Sequence, residues 1–151
     1  MGKFGSVDAA LDFAISEEQK ATEFYTRLAR EASGPGMRAA FQQFAAEEVA
    51  HRARLEGVKA GKTLLAAGRK VTELSVTDYM VPRDTSPAMS YQDSLLVAMQ
   101  KEKAAYRMYS DLAAASGDAA LQGLFLSLAH EEANHKLRFE LEYDTFVTPE
   151  N

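Results

Sequence analysis

An internal repeat constrains the fold of this 151-residue chain more than any other feature of its sequence. When the sequence is shifted by 84 residues, segment 6–56 aligns with segment 90–140 without a gap, and 15 of the 51 aligned residues are identical. Solenoid repeats are shorter and more numerous than this one. The repeat therefore predicts two copies of one structural unit, related by an approximate two-fold axis.

The spacing of apolar residues predicts that each copy is a pair of helices. The breaks between the helices are rich in Gly, Pro and Ser, which are typical of helix ends and turns. Ser6 and Ser90 precede the first and third helices, where we expect their hydroxyl groups to cap the helix. The predicted helices cover residues 6–32, 37–60, 90–115 and 119–146.

A long crossover, residues 62–89, joins the second helix to the third. Two short turns and one long crossover are the connectivity of ferritin-like four-helix bundles. We therefore predict an all-α fold, a ferritin-like four-helix bundle built from two repeated helical hairpins, in a single domain over residues 1–151. Within the crossover, the β-rich segment 71–81 is compatible with a short strand or with one helical turn packed on the outside.

The composition excludes several classes of function. The chain contains no cysteine, which excludes disulfides, thiolate metal sites, iron–sulfur clusters and a fused rubredoxin-type module. Its net charge of −5, without a basic stripe, argues against binding to nucleic acid or to an anionic membrane surface. No apolar run has the length of a membrane span or a signal segment, so we expect a cytoplasmic protein.

Each predicted helix has an inward stripe of apolar residues with one glutamate near its middle. In the second and fourth helices, a histidine follows that glutamate by three residues. Buried unpaired carboxylates are costly, and no Lys or Arg lies on these stripes to neutralise them. Two divalent cations would balance the four charges. The predicted metal ligands are Glu18, Glu48, His51, Glu102, Glu132 and His135.

The helical spacing also indicates how these ligands are shared between two ions. Residues three apart lie on one face of a helix, so the glutamate and histidine of each pair can reach one ion. The same glutamate can also bridge to a second ion nearby, and we expect Glu48 and Glu132 to do so. We expect Glu18 and Glu102 to be terminal ligands that each bind one ion. We expect His51 and His135 to bind separate ions.

Three further residues compete for a role at the metals. Glu47 and Glu131 each precede a ligand histidine by four residues. The stripes through them would continue to Arg54 and Arg138 rather than to apolar residues, so we place both glutamates at the rim of the site or in contact with the ligands. His130 is matched by an alanine in the other repeat, and we expect it at the rim or on the surface.

Tyr25 and Tyr109 lie two helical turns from Glu18 and Glu102, on the same faces. A buried tyrosine hydroxyl needs a hydrogen-bond partner. Each tyrosine could donate to a ligand carboxylate of the opposite hairpin, or each could simply pack in the core. The sequence leaves both interpretations open.

One further set of residues connects the chain to a known family. In the first hairpin the set is Ala14, Ile15, Glu18, Ala21, Phe24, Tyr25, Glu47, Glu48 and His51. In the second it is Ala98, Met99, Glu102, Ala105, Met108, Tyr109, Glu131, Glu132 and His135. Both sets resemble the pattern of the rubrerythrin branch of the ferritin-like superfamily, with all six metal positions matched. The resemblance implies a centre of two Fe ions, for which Mn or Zn could substitute.

Two departures from the family set this chain apart. Rubrerythrins carry a C-terminal rubredoxin domain that supplies electrons, whereas this chain has no cysteine with which to build one. They also carry an additional glutamate on the third helix, one turn after its ligand, where this chain has Ala105. The chain therefore resembles the stand-alone rubrerythrin-like proteins most.

Three functions stay open at this point. The first is an oxidoreductase that reduces peroxide or dioxygen with electrons from an external donor, as in protection from oxidative stress. The second is a ferroxidase or iron-handling protein, with iron as its substrate and no peroxidase turnover. The third is a structural bundle with a buried polar layer. The oligomeric state is open as well, a homodimer included.

Overall fold

The computed structural model describes residues 2–81 and 89–147, without the side chains of residues 146 and 147. Within these ranges the regular structure is helical, apart from one isolated bridge between Lys3 and Ser75, in agreement with the predicted all-α class. None of these helices is both long and apolar enough to cross a bilayer. The α-helices are α1 (Val7–Glu31), α2 (Pro35–Gly61), α3 (Gly68–Thr72), α4 (Tyr91–Ala115) and α5 (Ala119–Val147).

Helices α1 and α4 begin where the sequence places their caps. The Ser6 hydroxyl accepts a hydrogen bond from the Ala9 amide at 3.0 Å, and Ser90 accepts one from the Asp93 amide at 3.1 Å. Helix α2 begins two residues earlier than predicted, at Pro35, because proline is well tolerated in the first turn of a helix. The helix boundaries are therefore set mainly by local capping chemistry.

The four long helices enclose two apolar clusters. Helix α1 packs along α2, and α4 packs along α5. One cluster contains Leu11, Leu55 and Phe125, and the other contains Leu28 and Phe139. Because each helix contributes its two halves to different clusters, a layer at mid-height of all four helices separates them. The inward glutamates and histidines lie in this layer.

The described part of the crossover is mainly helical, and segment 71–81 contains helical turns and one isolated bridge residue, Ser75, rather than a strand. The crossover contains two 3₁₀ turns, Leu65–Ala67 and Val76–Tyr79, on either side of α3. Val71 and Tyr79 are buried against the bundle. The N-terminus fastens this segment, since the Val76 amide donates to the Gly2 carbonyl at 3.0 Å. Residues 82–88 of the predicted crossover lie outside the described part.

Candidate metal centre

Four glutamates and two histidines meet in the layer between the two apolar clusters. Each long helix supplies one glutamate, and α2 and α5 each add a histidine one turn later. All six side chains are at most 2% exposed. They are the six residues predicted from the sequence, namely Glu18, Glu48, His51, Glu102, Glu132 and His135.

The six side chains form two overlapping groups of four. The first half-site consists of Glu18, Glu48, His51 and Glu132, and the second half-site consists of Glu48, Glu102, Glu132 and His135. In each group, one ligand atom from every residue lies within 4.8 Å of the others. Glu48 and Glu132 belong to both groups. This sharing is the arrangement expected of two bridging carboxylates between two ions.

In the first half-site, Nδ1 of His51 is the inward-facing nitrogen. It lies 3.0 Å from Glu18 Oε2, 3.3 Å from Glu48 Oε1 and 3.4 Å from Glu132 Oε1. In the second half-site, Nδ1 of His135 lies 3.3 Å from Glu102 Oε2. It is 3.6 Å from Glu48 Oε1 and 3.5 Å from Glu132 Oε1. Both histidines therefore present the same nitrogen to the shared carboxylates.

The outer nitrogen of each histidine is held by a carboxylate from the other helix pair. His51 Nε2 lies 3.0 Å from Glu131 Oε1 on α5, and His135 Nε2 lies 2.8 Å from Glu47 Oε1 on α2. A carboxylate accepts hydrogen bonds, so Nε2 is the donor in these contacts, and the Nδ1 lone pair of a neutral ring is available to a metal ion. Glu47 and Glu131 thus contact the histidines from the rim, and the sequence did not indicate that each one crosses to the opposite pair.

The two buried tyrosines bind the terminal glutamates of the opposite helix pair. The Tyr25 hydroxyl on α1 donates to Glu102 Oε1 on α4, and Tyr109 on α4 forms a hydrogen bond with Glu18 on α1. Of the two interpretations left open by the sequence, the hydrogen bond to a carboxylate is the one found. It fixes one oxygen of each terminal glutamate and leaves the other facing the histidine.

The atoms that face the middle of the layer have no hydrogen-bond partner. They are both oxygens of Glu48 and of Glu132, Oε2 of Glu18 and Glu102, and Nδ1 of both histidines. Buried polar atoms are almost always satisfied, and eight unsatisfied atoms in one place need a common explanation. Carboxylate oxygen and imidazole nitrogen are the donors that iron, manganese and zinc accept in proteins. The donor set therefore fits two metal ions of this kind.

The electrostatics of the layer point the same way. Burial raises the pKa of Glu18 to about 8, and the charge of Glu48 adds to the effect. Burial likewise raises the pKa of Glu102 to about 7 and that of Glu132 well above its usual range. Burial by itself would lower the pKa of His51, but the neighbouring carboxylates of Glu18 and Glu48 raise it to about 11. Without cations, protons have to neutralise this cluster.

Two residues on the predicted stripes are only partly buried, Phe44 on α2 and Ala105 on α4. Phe44 packs on a ligand, with its ring centroid 4.2 Å from that of His135. His130 is exposed, as predicted. The sequence did not predict the contact between Arg54 and Glu131. The Arg54 guanidinium reaches Glu131 Oε2 at 3.3 Å from the other helix pair. The one signal for it in the sequence is that the repeat has an arginine, Arg138, at the matching position.

The family model described as Rubrerythrin matches residues 9–143, a range that begins and ends within the four long helices and includes all six inward side chains. No curated protein and no solved structure matches the chain.

Proposed function

This chain belongs to the rubrerythrin family, and we propose that it is a di-iron oxidoreductase that reduces peroxide or dioxygen with electrons from an external donor. The observation that carries the proposal is the set of eight buried, unsatisfied donor atoms shared between two half-sites. We further propose that the helices adopt the ferritin-like arrangement of two repeated hairpins. That arrangement supplies one glutamate from each of two helices and a Glu-x-x-His pair from each of the others.

In this proposal Glu48 and Glu132 bridge the ions, and the four other residues bind one ion each. Glu18 and His51 serve the first half-site, and Glu102 and His135 serve the second. The geometry that supports this assignment is the sharing of only Glu48 and Glu132 between the two groups. Iron is the proposed native metal, and manganese or zinc could occupy the same donors because carboxylate and imidazole sites accept all three.

Bound iron would supply the one-electron chemistry and the open coordination positions for the oxidant. Reduction of hydrogen peroxide breaks the O–O bond, consumes two electrons and two protons, and releases two water molecules. The protein keeps the ligands in place: Tyr25 and Tyr109 hold the terminal carboxylates, and Glu47 and Glu131 hold the Nε2 protons. The side chains of these two glutamates are 29% and 30% exposed, so each of them links a buried histidine to the solvent-exposed rim.

The test starts from purified protein loaded with Fe(II) without oxygen. Elemental analysis should give two metal ions per chain, and one equivalent of hydrogen peroxide should oxidise the centre within a single turnover followed by its visible spectrum. A suitable reductant should then restore the starting spectrum and allow repeated turnover. Glu48→Gln serves as the matched control, because it removes a negative charge that both half-sites share.

Two other outcomes would each contradict the proposal. Protein that takes up iron and oxidises it with dioxygen, but never turns over peroxide, would be an iron-handling protein of the ferroxidase type. Protein that binds no metal would be a structural bundle with a buried polar layer.

The partners that belong to this proposal are the oxidant and an external electron donor. The proposed location is the cytoplasm, and the proposal includes no nucleic acid and no membrane surface.

A further inference from the structure

A small cavity lies between α1 and α4 and reaches the first half-site. Its volume is about 20 Å³, and its lining includes Glu18 and Tyr109 from the site together with Ala105 and Met108 from α4. About 10–15 Å³ of such volume holds one water molecule. The cavity therefore has room beside a proposed metal ligand for a molecule little larger than water.

The repeat allows this side of the bundle to be compared with the opposite side, next to Glu102. There the position of Met108 is taken by Phe24, which is 4% exposed. The Arg27 guanidinium lies 5.0 Å from the centroid of the Phe24 ring, and the Lys101 ammonium group lies 5.7 Å from it. A flexible methionine thus lies on the cavity side, where the other side has an aromatic ring with two cations near it. One of these cations, Lys101, also lines the cavity.

The crossover covers the cavity on the Glu18 side. Tyr79 and Val81 belong to the lining, and neither has a counterpart in the repeat, because the crossover occurs once in the chain. The Tyr79 hydroxyl donates to Asp111 Oδ2 at 2.7 Å, and its ring stacks on Phe4 with centroids 6.3 Å apart. Two contacts thus fix the ring over the cavity.

We propose that this cavity is the path by which a small oxidant reaches the first half-site, and that Tyr79 sets the upper limit on its size. The inference rests on the proposed function and adds a limit on the class of substrate. Hydrogen peroxide and dioxygen are small enough to pass through the path, and hydroperoxides with a bulky organic group are not. Ala105 and Met108 keep the inner part of the path open. Because this path leads the oxidant to the first half-site, the two half-sites differ in reactivity although their ligands match.

The test measures access in two ways on the iron-loaded protein. Azide binding, followed by the visible spectrum, reports access without turnover. The rate ratio for oxidation of the reduced centre by hydrogen peroxide and by cumene hydroperoxide reports the size limit. Tyr79→Ala should raise the relative rate with cumene hydroperoxide about tenfold or more, the usual scale of discrimination by pocket size. Tyr79→Phe keeps the ring and should leave the ratio unchanged.

Val81→Ala and the filling variants keep the test informative if Tyr79→Ala fails to fold. Val81→Ala trims the same cover and should shift the ratio in the same direction. Ala105→Leu and Met108→Phe should weaken azide binding and slow oxidation by hydrogen peroxide, with metal content unchanged. Tyr91→Ala is the matched control, because it removes a partly buried tyrosine near Phe41, in the other apolar cluster.

The outcomes separate this inference from the proposed function. If azide binding and the rate ratio are the same in every folded variant, the cavity is not the path, whatever the turnover of the wild type. If the wild type never turns over peroxide but Ala105→Leu still weakens azide binding, the path stands and the proposed function is wrong.

Discussion

The two half-sites have matching ligands and different surroundings. In each, a histidine Nδ1, a terminal glutamate and two shared glutamates meet, with a rim carboxylate on Nε2. In the first half-site the rim carboxylate Glu131 also pairs with Arg54. In the second, Arg138 occupies the repeated position, and its Nε lies 3.3 Å from Met37 Sδ.

The two half-sites also differ in the residues that the repeat places beside the histidine rings. The Phe44 ring packs on His135, whereas the repeat places Leu128 at the corresponding position for His51. The histidine pKa is raised to about 11 for His51 and to about 9 for His135, in both cases against the lowering effect of burial. The donor atoms are therefore matched between the two repeats, whereas the residues packed around them differ.

The largest effect is expected from breaking a ligand that both half-sites share. Glu48→Gln removes a bridging charge from each group, so we expect the protein to lose both metal ions. Glu18→Gln touches the first half-site only and should leave the ion of the second half-site bound. Elemental analysis of the two variants, purified side by side, distinguishes the cases. Equal metal loss in both would show that the half-sites are not separable.

Removing the metal ions should lower the melting temperature at about pH 7. The metal-free pKa values of Glu18 and Glu102, about 8 and about 7, lie above the ordinary glutamate value of 4.5. The folded state then binds these protons more tightly than the unfolded state, so stability falls as pH rises from about 4.5 to about 8. Bound cations remove the need for those protons.

Chelation should therefore lower the melting temperature by several degrees or more near pH 7, since each 1 kcal/mol corresponds to about 2–4 °C for a chain of this size. The loss should shrink near pH 5, where the glutamates in the folded protein are protonated. Thermal unfolding with and without a chelator at both pH values measures the effect. A melting temperature that does not respond to metal at either pH would contradict a site in this layer.

Ala105→Glu should add a seventh donor on the Glu18 side, one turn from Glu102, and change the reaction with peroxide. The wild type lacks this donor, so we expect its ions to move little between oxidation states. We expect the rate of single-turnover oxidation to change on the order of tenfold, equivalent to about 1.4 kcal/mol of barrier. Crystal structures of the oxidised and the reduced wild type test whether the ions stay in place. A metal shift well beyond the ~0.2 Å tolerance of ligand distances would contradict this expectation.

Ala21→Glu is the control for this substitution, since Ala21 is the repeat mate of Ala105. Ala21 is 5% exposed in an apolar cluster, whereas Ala105 borders the cavity. We therefore expect Ala21→Glu to lower the melting temperature more than Ala105→Glu does. Equal losses would show that the two sides of the bundle offer a carboxylate the same environment.

The smallest effect is expected from Arg54→Ala. Its ion pair with Glu131 is partly exposed, so we expect a loss of about 0.2–1 kcal/mol, seen as weaker metal binding at the first half-site. Arg138→Ala should leave the affinity of the second half-site unchanged, because Arg138 contacts Met37. Competitive metal titration of the two variants measures the difference. If Arg138→Ala weakened metal binding more than Arg54→Ala does, the proposed difference between the two rims would be wrong.

The fold class and the six inward residues could be predicted because they follow from periodicity. Glu18 and Glu102 fall on apolar stripes of regular spacing, and burial follows directly from that register. The crossing contacts could not be predicted in the same way. Glu131 reaches His51 from another helix pair, and sequence spacing along one helix does not state which partner a neighbouring helix brings.

The sequence by itself determined the helices, their caps and the donor atoms of the candidate metal centre, because helix period and capping are local properties of the chain. Only the tertiary structure decided the rest: the pairing of Tyr25 with Glu102, the unequal rims, and the position of Tyr79 over a cavity beside Glu18. These features depend on how helices and the crossover pack against each other. Packing is a relation between distant segments, and no local pattern records it.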